Sequence, residues 1–281
     1  MLSYRHAFHA GNHADVLKHL VLIQITRYLA QKEKPFWYID THAGAGAYDL
    51  NSGYALKLAE YKNGVGRLWG EKELPLPVAD YVELVRRLNP DGSLKNYPGS
   101  PFFALWAMRQ QDRLRLFERH SKDAKLLEEN FRTVGRQAII EVTDGFTGLK
   151  ALLPPPTRRA LVLIDPSYEE KQDYERVIAS LKDSLVRFPG GTYAVWYPQL
   201  ARLEPQELLR RLKRLSAKGW LHVALRVREP AKDGLGMHGS GMFILNPPWT
   251  LHDALASVMP FLVEKLGQDA GAGFTLEQQV A

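Results

Sequence analysis

One short stretch of this sequence places an acid, a proline and an aromatic ring directly after an apolar run. Residues 160–164 lead into Asp165, Pro166, Ser167 and Tyr168. The Asp165 carboxylate and the Pro166 carbonyl can accept both hydrogens of an exocyclic amine, while the Tyr168 ring stacks on the base that carries it. Asp165 can then take a proton from the amine as the reaction proceeds. The stretch therefore predicts chemistry at the amine of a planar base, with Asp165, Pro166 and Tyr168 as catalytic residues.

The elements that must position these residues follow from the spacing of apolar residues. Helical spacing of apolar side chains predicts a helix over residues 14–31. Short apolar runs, most of them separated by helical patterns, predict an α/β fold with a seven-stranded, mostly parallel sheet that is covered on both faces. The predicted strands are 35–40, 113–118, 137–142, 160–165, 192–197, 220–227 and 241–246. The last two have no helix between them and predict an antiparallel pair.

One part of the chain interrupts this alternation. Residues 48–98 contain no clear strand, and their helical patterns are punctuated by glycine and proline. We interpret this part as an inserted helical subdomain. The main domain is then formed by residues 1–47 and 99–281.

Polar residues follow four of the predicted strands, at the edge where parallel sheets bind ligands. A turn with Gly44 and Gly46 follows the first strand and lets the backbone approach a ligand closely. Glu118 ends the second strand and suits the hydroxyls of a ribose, while Asp144 and Gly145 follow the third and can meet an adenine edge. Tight strand–helix packing for the glycines and a surface position for Glu118 are the structural alternatives. Along the chain, the glycine turn, the first acid, the second acid and the acid–proline–aromatic stretch follow four successive strands. This order is typical of S-adenosylmethionine-dependent methyltransferases.

The acid–proline–aromatic form has a second copy near the end of the chain, from Asn246 to Trp249. This copy matches the amino-methyltransferase tetrapeptide [DNS]PP[YFW] better than the first copy does. However, the tetrapeptide belongs on the fourth strand, and the 32 residues after Trp249 are too few for three more strands with their helices. We therefore interpret the second copy as a structural strand exit.

Composition narrows the classes of function further. The net charge of +6 indicates a mild preference for a polyanionic partner. The chain has no cysteine, which excludes disulfides, thiolate metal sites and a cysteine nucleophile. It also has neither a signal-peptide pattern nor an apolar stretch long enough to cross a membrane, so we expect a cytoplasmic protein without a membrane partner. The clustered histidines His6, His9, His13 and His19 lack the companions of a zinc signature, and we expect no metal.

Several blocks of the sequence together resemble one known family. The blocks are MLSYRHAFHAGNHADVLKH, DTHAGAG, YPGSP, DGF, DPSYE, TYAVWYP and GSGMFILNPPW. They resemble the RlmJ family of bacterial 23S rRNA adenine-N6 methyltransferases, over residues 1 to about 250. The resemblance implies a Rossmann-like class I methyltransferase that uses S-adenosylmethionine to methylate one adenosine of protein-free 23S rRNA. We expect it to act as a monomer.

The resemblance also implies roles for individual residues. Tyr4 is the implied substrate-binding residue, and Asp165 is the implied catalytic aspartate. We add Lys18 as an RNA phosphate contact. Ser100 is an implied cofactor-binding residue, and its structural alternative is to cap a helix that begins at Pro101. Together with Gly44 of the glycine turn, the expected cofactor-binding residues are His19, His42, Ser100, Glu118, Asp144, Gly145 and Asp165.

The sequence departs from the family pattern at one catalytic position. Ser167 stands where the family usually has a second proline, which makes the loop softer and adds a backbone N–H. Because Asp165, Pro166 and Tyr168 are present, we expect catalysis to be retained, at a reduced rate. Alternatives to methylation of 23S rRNA are methylation of DNA adenine or of a protein amine, and a non-catalytic RNA-binding module.

Overall fold

A computed structural model describes residues 6–280 of the chain. The strands are β1 (Trp37–Asp40), β2 (Ala47–Asp49), β3 (Asn96–Pro98), β4 (Arg113–Phe117), β5 (Ala138–Glu141), β6 (Ala160–Ile164), β7 (Thr192–Gln199), β8 (Trp220–Arg226), β9 (Gly239–Leu245) and β10 (Gly273–Gln279). The α-helices are α1 (His13–Ala30), α2 (Gly53–Leu58), α3 (Val65–Trp69), α4 (Leu76–Arg86), α5 (Ser100–Ala107), α6 (Ser121–Phe131), α7 (Gly145–Leu152), α8 (Gln172–Arg187), α9 (Leu203–Leu212), α10 (Leu251–Ala256) and α11 (Met259–Leu266). Short 3-10 turns occupy His6–Phe8, Glu60–Asn63 and Gly135–Gln137.

Within residues 6–280, eight strands form the central sheet in the order β10–β8–β9–β7–β6–β1–β4–β5. Strands β1, β4, β5, β6 and β7 are parallel. Strand β9 is antiparallel to both β7 and β8, and β10 is antiparallel to β8. This confirms the predicted α/β fold, the mostly parallel sheet and the antiparallel pairing of the last two predicted strands.

The prediction of seven strands is wrong by one, because it misses β10. This strand lies at the edge of the sheet, and its sequence GFTLEQQ contains few apolar residues. An edge strand has solvent along one side, so it can form without the continuous apolar run that marks a buried strand. Its pairing with β8, for example Phe274 opposite Leu225, comes from backbone hydrogen bonds that leave no apolar signal in the sequence.

Side chains of the central strands alternate between two apolar layers. In β6, Leu161 and Leu163 pack on one face with α1, while Val162 and Ile164 pack on the other face with α8. Both faces of the sheet are therefore covered, and β6 is buried along its whole length. This explains why the apolar run before Asp165 is unbroken.

The inserted part of the chain is joined to the main sheet through a small sheet of its own. Strands β2 and β3 pair antiparallel, with Tyr48 opposite Tyr97. These strands lie at the two ends of residues 48–98. No clear strand was predicted there because each strand has only three residues. The Tyr97 hydroxyl lies 3.0 Å from the Tyr81 hydroxyl of α4 and 2.8 Å from Nδ1 of His19, so the insertion is hydrogen-bonded to α1.

Helix α1 lies between the sheet and the insertion, and most of its residues are buried. The Asn12 side chain caps its first turn by accepting hydrogen bonds from the backbone N–H groups of Ala14 and Asp15. The helix begins and ends one residue before its predicted limits. None of the helices in the described part of the chain combines the length and the apolar composition that a membrane span requires.

The second tetrapeptide begins at Asn246. It lies at the other end of the strands from Asp165. Strand β9 is antiparallel to β7, so its last residue, Leu245, pairs with Tyr193 near the start of β7. The Asn246 amide donates to the carbonyls of Pro189 and Gly191 at 2.9 and 2.7 Å. Its side-chain oxygen accepts the backbone N–H of Lys218 at 3.0 Å. These contacts connect the loop that contains Asn246 to the loops that contain Pro189 and Lys218.

We predict that Asn246→Ala lowers the free energy of unfolding by about 2 kcal/mol. Three hydrogen bonds are lost, and alanine must adopt the left-handed backbone conformation that asparagine has here, with φ of 53°. Urea unfolding of the variant measures the change, with the exposed Asn51→Ala as control. A stability equal to that of the control variant would contradict the structural role of Asn246.

Candidate active site

The loops that follow three neighbouring parallel strands meet at one edge of the sheet. The backbone N–H of Thr41, after β1, donates to the Leu163 carbonyl of β6 at 3.1 Å. The N–H of Ala43 donates to the Phe117 carbonyl of β4 at 2.8 Å. These bonds bring the glycine turn beside Glu118 and Asp165. The cleft between them is lined by His6, Lys18, His19, Thr41, His42, Ala43, Gly44, Tyr48, Gly99, Ser100, Glu118, Arg119, His120, Asp123, Asp144, Gly145, Asp165, Pro166, Ser167, Asp173 and Arg176.

Glu118 is held against the glycine turn by two backbone groups. The N–H of Gly44 donates to Oε2 at 2.9 Å, and the N–H of His120 donates to Oε1 at 2.6 Å. Gly44 has a φ of 62°, and a Cβ there would meet the Tyr48 hydroxyl at 2.2 Å, so glycine is required. Burial raises the pKa of Glu118, although the two N–H groups oppose the rise. Each carboxylate oxygen keeps a further lone pair for a ligand.

Asp144 and Gly145 form the start of α7 beside the cleft. The Asp144 carboxylate caps the helix through the Thr147 N–H at 3.0 Å and is paired with Arg176. Burial alone would raise the pKa of Asp144, but the hydrogen bonds from Arg176 and Thr147 lower it. A Cβ on Gly145 would lie 1.9 Å from the Thr41 carbonyl oxygen, so the two loops touch and only glycine fits.

Asp40, which sequence reasoning missed, orients two of the predicted cofactor residues. It is fully buried and accepts hydrogen bonds from the Ser100 hydroxyl at 2.7 Å and the His42 N–H at 3.1 Å. The Tyr38 hydroxyl donates to the same carboxylate at 2.6 Å. Ser100 is therefore not an N-cap: α5 begins at Ser100 itself, and Gly99 occupies the capping position. An acid at the last position of β1 was the available signal for Asp40.

Two histidines at the cleft are held in their neutral form. Burial lowers the pKa of His42 to about 4, and its ring lies edge-on to Phe146 at 5.1 Å. Burial also lowers the pKa of His19 well below its ordinary value. The His19 ring stacks on Phe103 at 4.5 Å, and its Nε2 has no hydrogen-bond partner among residues 6–280. A buried polar atom without a partner, in the wall of a cleft, is suited to a ligand.

A chain of buried charges connects the start of α1 to Asp165. The Lys18 ammonium lies 2.9 Å from Oδ1 of Asp15 and 2.6 Å from Oδ2 of Asp165. Asp15 also contacts Nε2 of His6 at 2.9 Å and accepts the Gly11 N–H at 2.9 Å. Sequence reasoning missed Asp15, although its position three residues before Lys18 on a helix allowed the pair.

Lys18, which was predicted as an RNA phosphate contact, pairs with two carboxylates in this structure. The Lys18 side chain is buried, and two carboxylates already engage its ammonium. Burial alone would lower the pKa of Lys18, but Asp15 and Asp165 raise it well above its ordinary value. Burial raises the pKa of Asp165, and Lys18 opposes that rise. Lys18 is thus a partner of the predicted catalytic carboxylate.

The structure also departs from the expected position of Tyr168. Asp165, Pro166 and Ser167 line the cleft, but the Tyr168 side chain is only 3% exposed and lies in the apolar layer below. Its ring packs 4.6 Å from Tyr174, and its hydroxyl donates to the Trp196 carbonyl at 2.8 Å. The backbone turns away at this point because Tyr168 has a left-handed φ of 54°. In this conformation the Tyr168 ring therefore does not flank the cleft, and its stacking on a base stays a prediction.

The remaining predicted residues lie near the start of the chain. Tyr4 falls outside the described residues. His9 contacts Oε2 of Glu60 at 3.0 Å, and His13 begins α1 as a buried residue whose pKa burial lowers to about 4. Within residues 6–280, no group of three or more histidine, aspartate or glutamate side chains is arranged to hold a metal ion.

Comparisons with known proteins identify the family of the chain. A family model described as "Ribosomal RNA large subunit methyltransferase D, RlmJ" matches residues 33–279. Two proteins named "Ribosomal RNA large subunit methyltransferase J" are similar over almost the whole chain. The one from Haemophilus influenzae is 44% identical over 99% of this chain and 98% of its own length. The one from Escherichia coli is 45% identical over 97% of this chain and 96% of its own length.

A solved structure also matches almost the whole chain. The crystal structure of protein LPL1258 from Legionella pneumophila superimposes with a TM-score of 0.89 at 35% sequence identity, covering 96% of this chain and 98% of that one. The family match and the near-complete relatives confirm the resemblance found in the sequence. The chain belongs to the RlmJ family of ribosomal RNA large subunit methyltransferases.

Proposed function

We propose that this protein methylates the N6 amine of an adenosine in 23S rRNA, with S-adenosylmethionine as the methyl donor. The position of Asp165 carries this proposal. Its carboxylate follows a fully buried strand, lines the cleft with Pro166 and is anchored by the Lys18 ammonium. The family contains ribosomal RNA large subunit methyltransferases, in agreement with an RNA substrate.

The cleft fits S-adenosylmethionine, which when bound supplies an electrophilic methyl group on a positively charged sulfur. Glu118 has lone pairs available for ribose hydroxyls. Nε2 of His19 is buried and still needs a partner, which a polar group of the cofactor can provide. Gly44 and Gly145 leave no room for a side chain, so their loops can lie close to a ligand. The cofactor-binding set that we propose is His19, His42, Gly44, Ser100, Glu118, Asp144, Gly145 and Asp165.

The chain's own groups account for activation of the amine. An exocyclic amine is a weak nucleophile because its lone pair is delocalised into the base. Asp165 and the Pro166 carbonyl accept its two hydrogens, which favours a tetrahedral nitrogen with an available lone pair. Lys18 engages Oδ2 of Asp165, which leaves Oδ1 for the amine. Because burial raises the pKa of Asp165, its carboxylate accepts a proton more readily than an exposed aspartate does.

Two aromatic residues complete the proposal. Stacking of the adenine on Tyr168 requires its loop to rearrange, because the ring is buried and its hydroxyl is bonded to the Trp196 carbonyl. Tyr4 is the proposed substrate-binding residue at the start of the chain. Both roles are drawn from the family pattern and the chemistry of base stacking.

The wider context of the reaction is part of the same proposal. The methyltransferase domain comprises residues 1–47 and 99–281, and residues 48–98 form the inserted helical subdomain. The net charge of +6 favours binding to RNA. We propose that the protein acts as a monomer in the cytoplasm, on 23S rRNA that is free of ribosomal proteins.

Asp165→Asn should reduce the rate of methyl transfer by about 10²–10⁴-fold, because the amide cannot accept the amine proton. Incorporation of labelled methyl groups into transcribed 23S rRNA measures the rate, with 16S rRNA and DNA as competing substrates. The matched control is Asp253→Asn, which makes the same change at an exposed position of α10. Full activity of Asp165→Asn would exclude Asp165 as the catalytic group, and preference for DNA would exclude the RNA assignment.

Glu118→Gln should weaken S-adenosylmethionine binding by about tenfold to a hundredfold, because hydrogen bonds to a charged carboxylate become hydrogen bonds to a neutral amide. Isothermal titration calorimetry measures the affinity. Glu128→Gln, on the exposed side of α6, should bind the cofactor as the unaltered protein does. Equal affinities in the two variants would rule out the ribose role of Glu118.

Lys18→Met should lower the free energy of unfolding at neutral pH by about 3–5 kcal/mol, because it leaves two buried carboxylates without their cation. In the unaltered protein, the pKa of Asp15 is held well below its ordinary value, so its contribution is present above the unfolded pKa and lost on acidification. In the variant, Asp165 loses the cation that opposes the rise of its pKa by burial, while Asp15 keeps its contact with His6 but loses the lowering of its pKa by Lys18. Acidification then favours its folded form.

The difference in stability between Lys18→Met and the unaltered protein should therefore shrink between pH 7 and pH 5. Urea unfolding at both pH values measures it, with Lys182→Met on the exposed side of α8 as control. A deficit of the same size at both pH values would show that Lys18 acts by packing and not by charge.

A further inference from the structure

Helix α2, in the insertion, exposes large apolar side chains to solvent. Tyr54 is 46% exposed, Leu56 is 51% exposed and Leu58 is 49% exposed, whereas Ala55 alone among the residues of this helix is buried. Three neighbouring large apolar residues in one short helix form a patch of the kind that marks a binding surface. These three side chains do not belong to either apolar layer of the sheet.

The patch continues onto the 3-10 turn His6–Phe8, which α2 contacts. The Phe8 ring lies edge-on to the Tyr54 ring, with centroids 5.1 Å apart. The Lys57 ammonium lies over the Phe8 ring, 6.0 Å from its centroid. We call Phe8, Tyr54, Leu56, Lys57 and Leu58 the α2 surface. Aromatic faces beside a cation are the elements with which proteins bind single-stranded nucleic acid.

The position of the α2 surface is set by contacts with the catalytic cleft. His6, two residues before Phe8, lines the cleft and contacts Asp15 at 2.9 Å. Glu60, two residues after Leu58, lies 3.0 Å from both Nδ1 of His9 and Nδ2 of Asn12. The α2 surface is therefore fastened at the rim of the cleft. The same contacts direct the charge of Glu60 toward His9 and Asn12.

We propose that the α2 surface binds the RNA nucleotides that flank the target adenosine, an inference that rests on the proposed function. A base that enters the cleft is extruded from its strand, and its neighbours stay at the rim because the backbone is continuous. Bases of these neighbours stack on Phe8 and Tyr54 and pack against Leu56 and Leu58. Lys57 contacts a backbone phosphate, which suits a polyanion better than an apolar protein segment.

Tyr54→Ser and Lys57→Met in the full-length protein test this proposal against transcribed 23S rRNA. We expect Tyr54→Ser to raise KM for the RNA roughly tenfold, since one stacking contact is lost, with the effect on KM and not on kcat. Lys57→Met should reduce the slope of log affinity against log salt by about 1, because one phosphate contact is removed. Filter binding without cofactor gives the affinities, and calorimetry with S-adenosylmethionine checks that the cleft is intact.

Matched controls lie near the C-terminal end of α8, whose first turns, and not these positions, line the cleft. Val186 is 85% exposed, and Lys182 is exposed on the same helix, so Val186→Ser and Lys182→Met remove an apolar group and a charge away from the cleft. Variants at positions 54 and 57 that bind RNA as the controls do overturn the proposal. If the unaltered protein binds rRNA but methylates none, the proposed function fails, and the binding comparison still decides the role of the α2 surface.

Discussion

The buried Lys18 ammonium, between the carboxylates of Asp15 and Asp165, is the interaction on which the arrangement of the cleft depends. A buried charge is tolerated only when it is paired, so Lys18 and Asp165 must come together when the protein folds. This requirement fixes the first turns of α1 against the end of β6, although the two segments are far apart in the chain. The Asn12 cap and the Gly11 N–H then fix Asp15. The predicted catalytic carboxylate is thus oriented by a helix that lies outside the repeating strand–helix pattern.

Sheet topology decides which of two similar tetrapeptides can take part in the chemistry. Both follow a buried strand, and both present a polar side chain followed by proline. Strand β6 runs parallel to β1 and β4, so Asp165 emerges beside the glycine turn and Glu118. Strand β9 is antiparallel to β7, so Asn246 lies at the other end of the strands. There its amide donates hydrogen bonds to the carbonyls of Pro189 and Gly191. The strand direction, and not the match to a motif, separates the two.

The parts of the molecule that could be predicted from the sequence are those with a local signal. Buried strands appear as apolar runs, and the polar residue after each run marks the cleft edge, which is why Glu118, Asp144 and Asp165 were found. Strand β10 was missed because an edge strand needs no apolar run. The pairing of Lys18 with Asp165 joins residues 147 positions apart, and the buried Tyr168 ring is held by a hydrogen bond to the Trp196 carbonyl, 28 positions away. Neither has a signature within a short window.

Burial also sets the charge of the histidines that line the cleft. Burial lowers the pKa of His42 to about 4 and that of His19 well below its ordinary value, so both rings are uncharged at neutral pH. Neutral rings do not cancel the field of the nearby carboxylates, and Lys18 balances only part of it because Asp15 shares its ammonium. A cleft with this charge would favour a sulfonium cation, such as that of the proposed cofactor, over a neutral molecule of the same shape. Charged histidines would oppose such a cation, so the burial that keeps His19 and His42 neutral suits the proposed binding of S-adenosylmethionine.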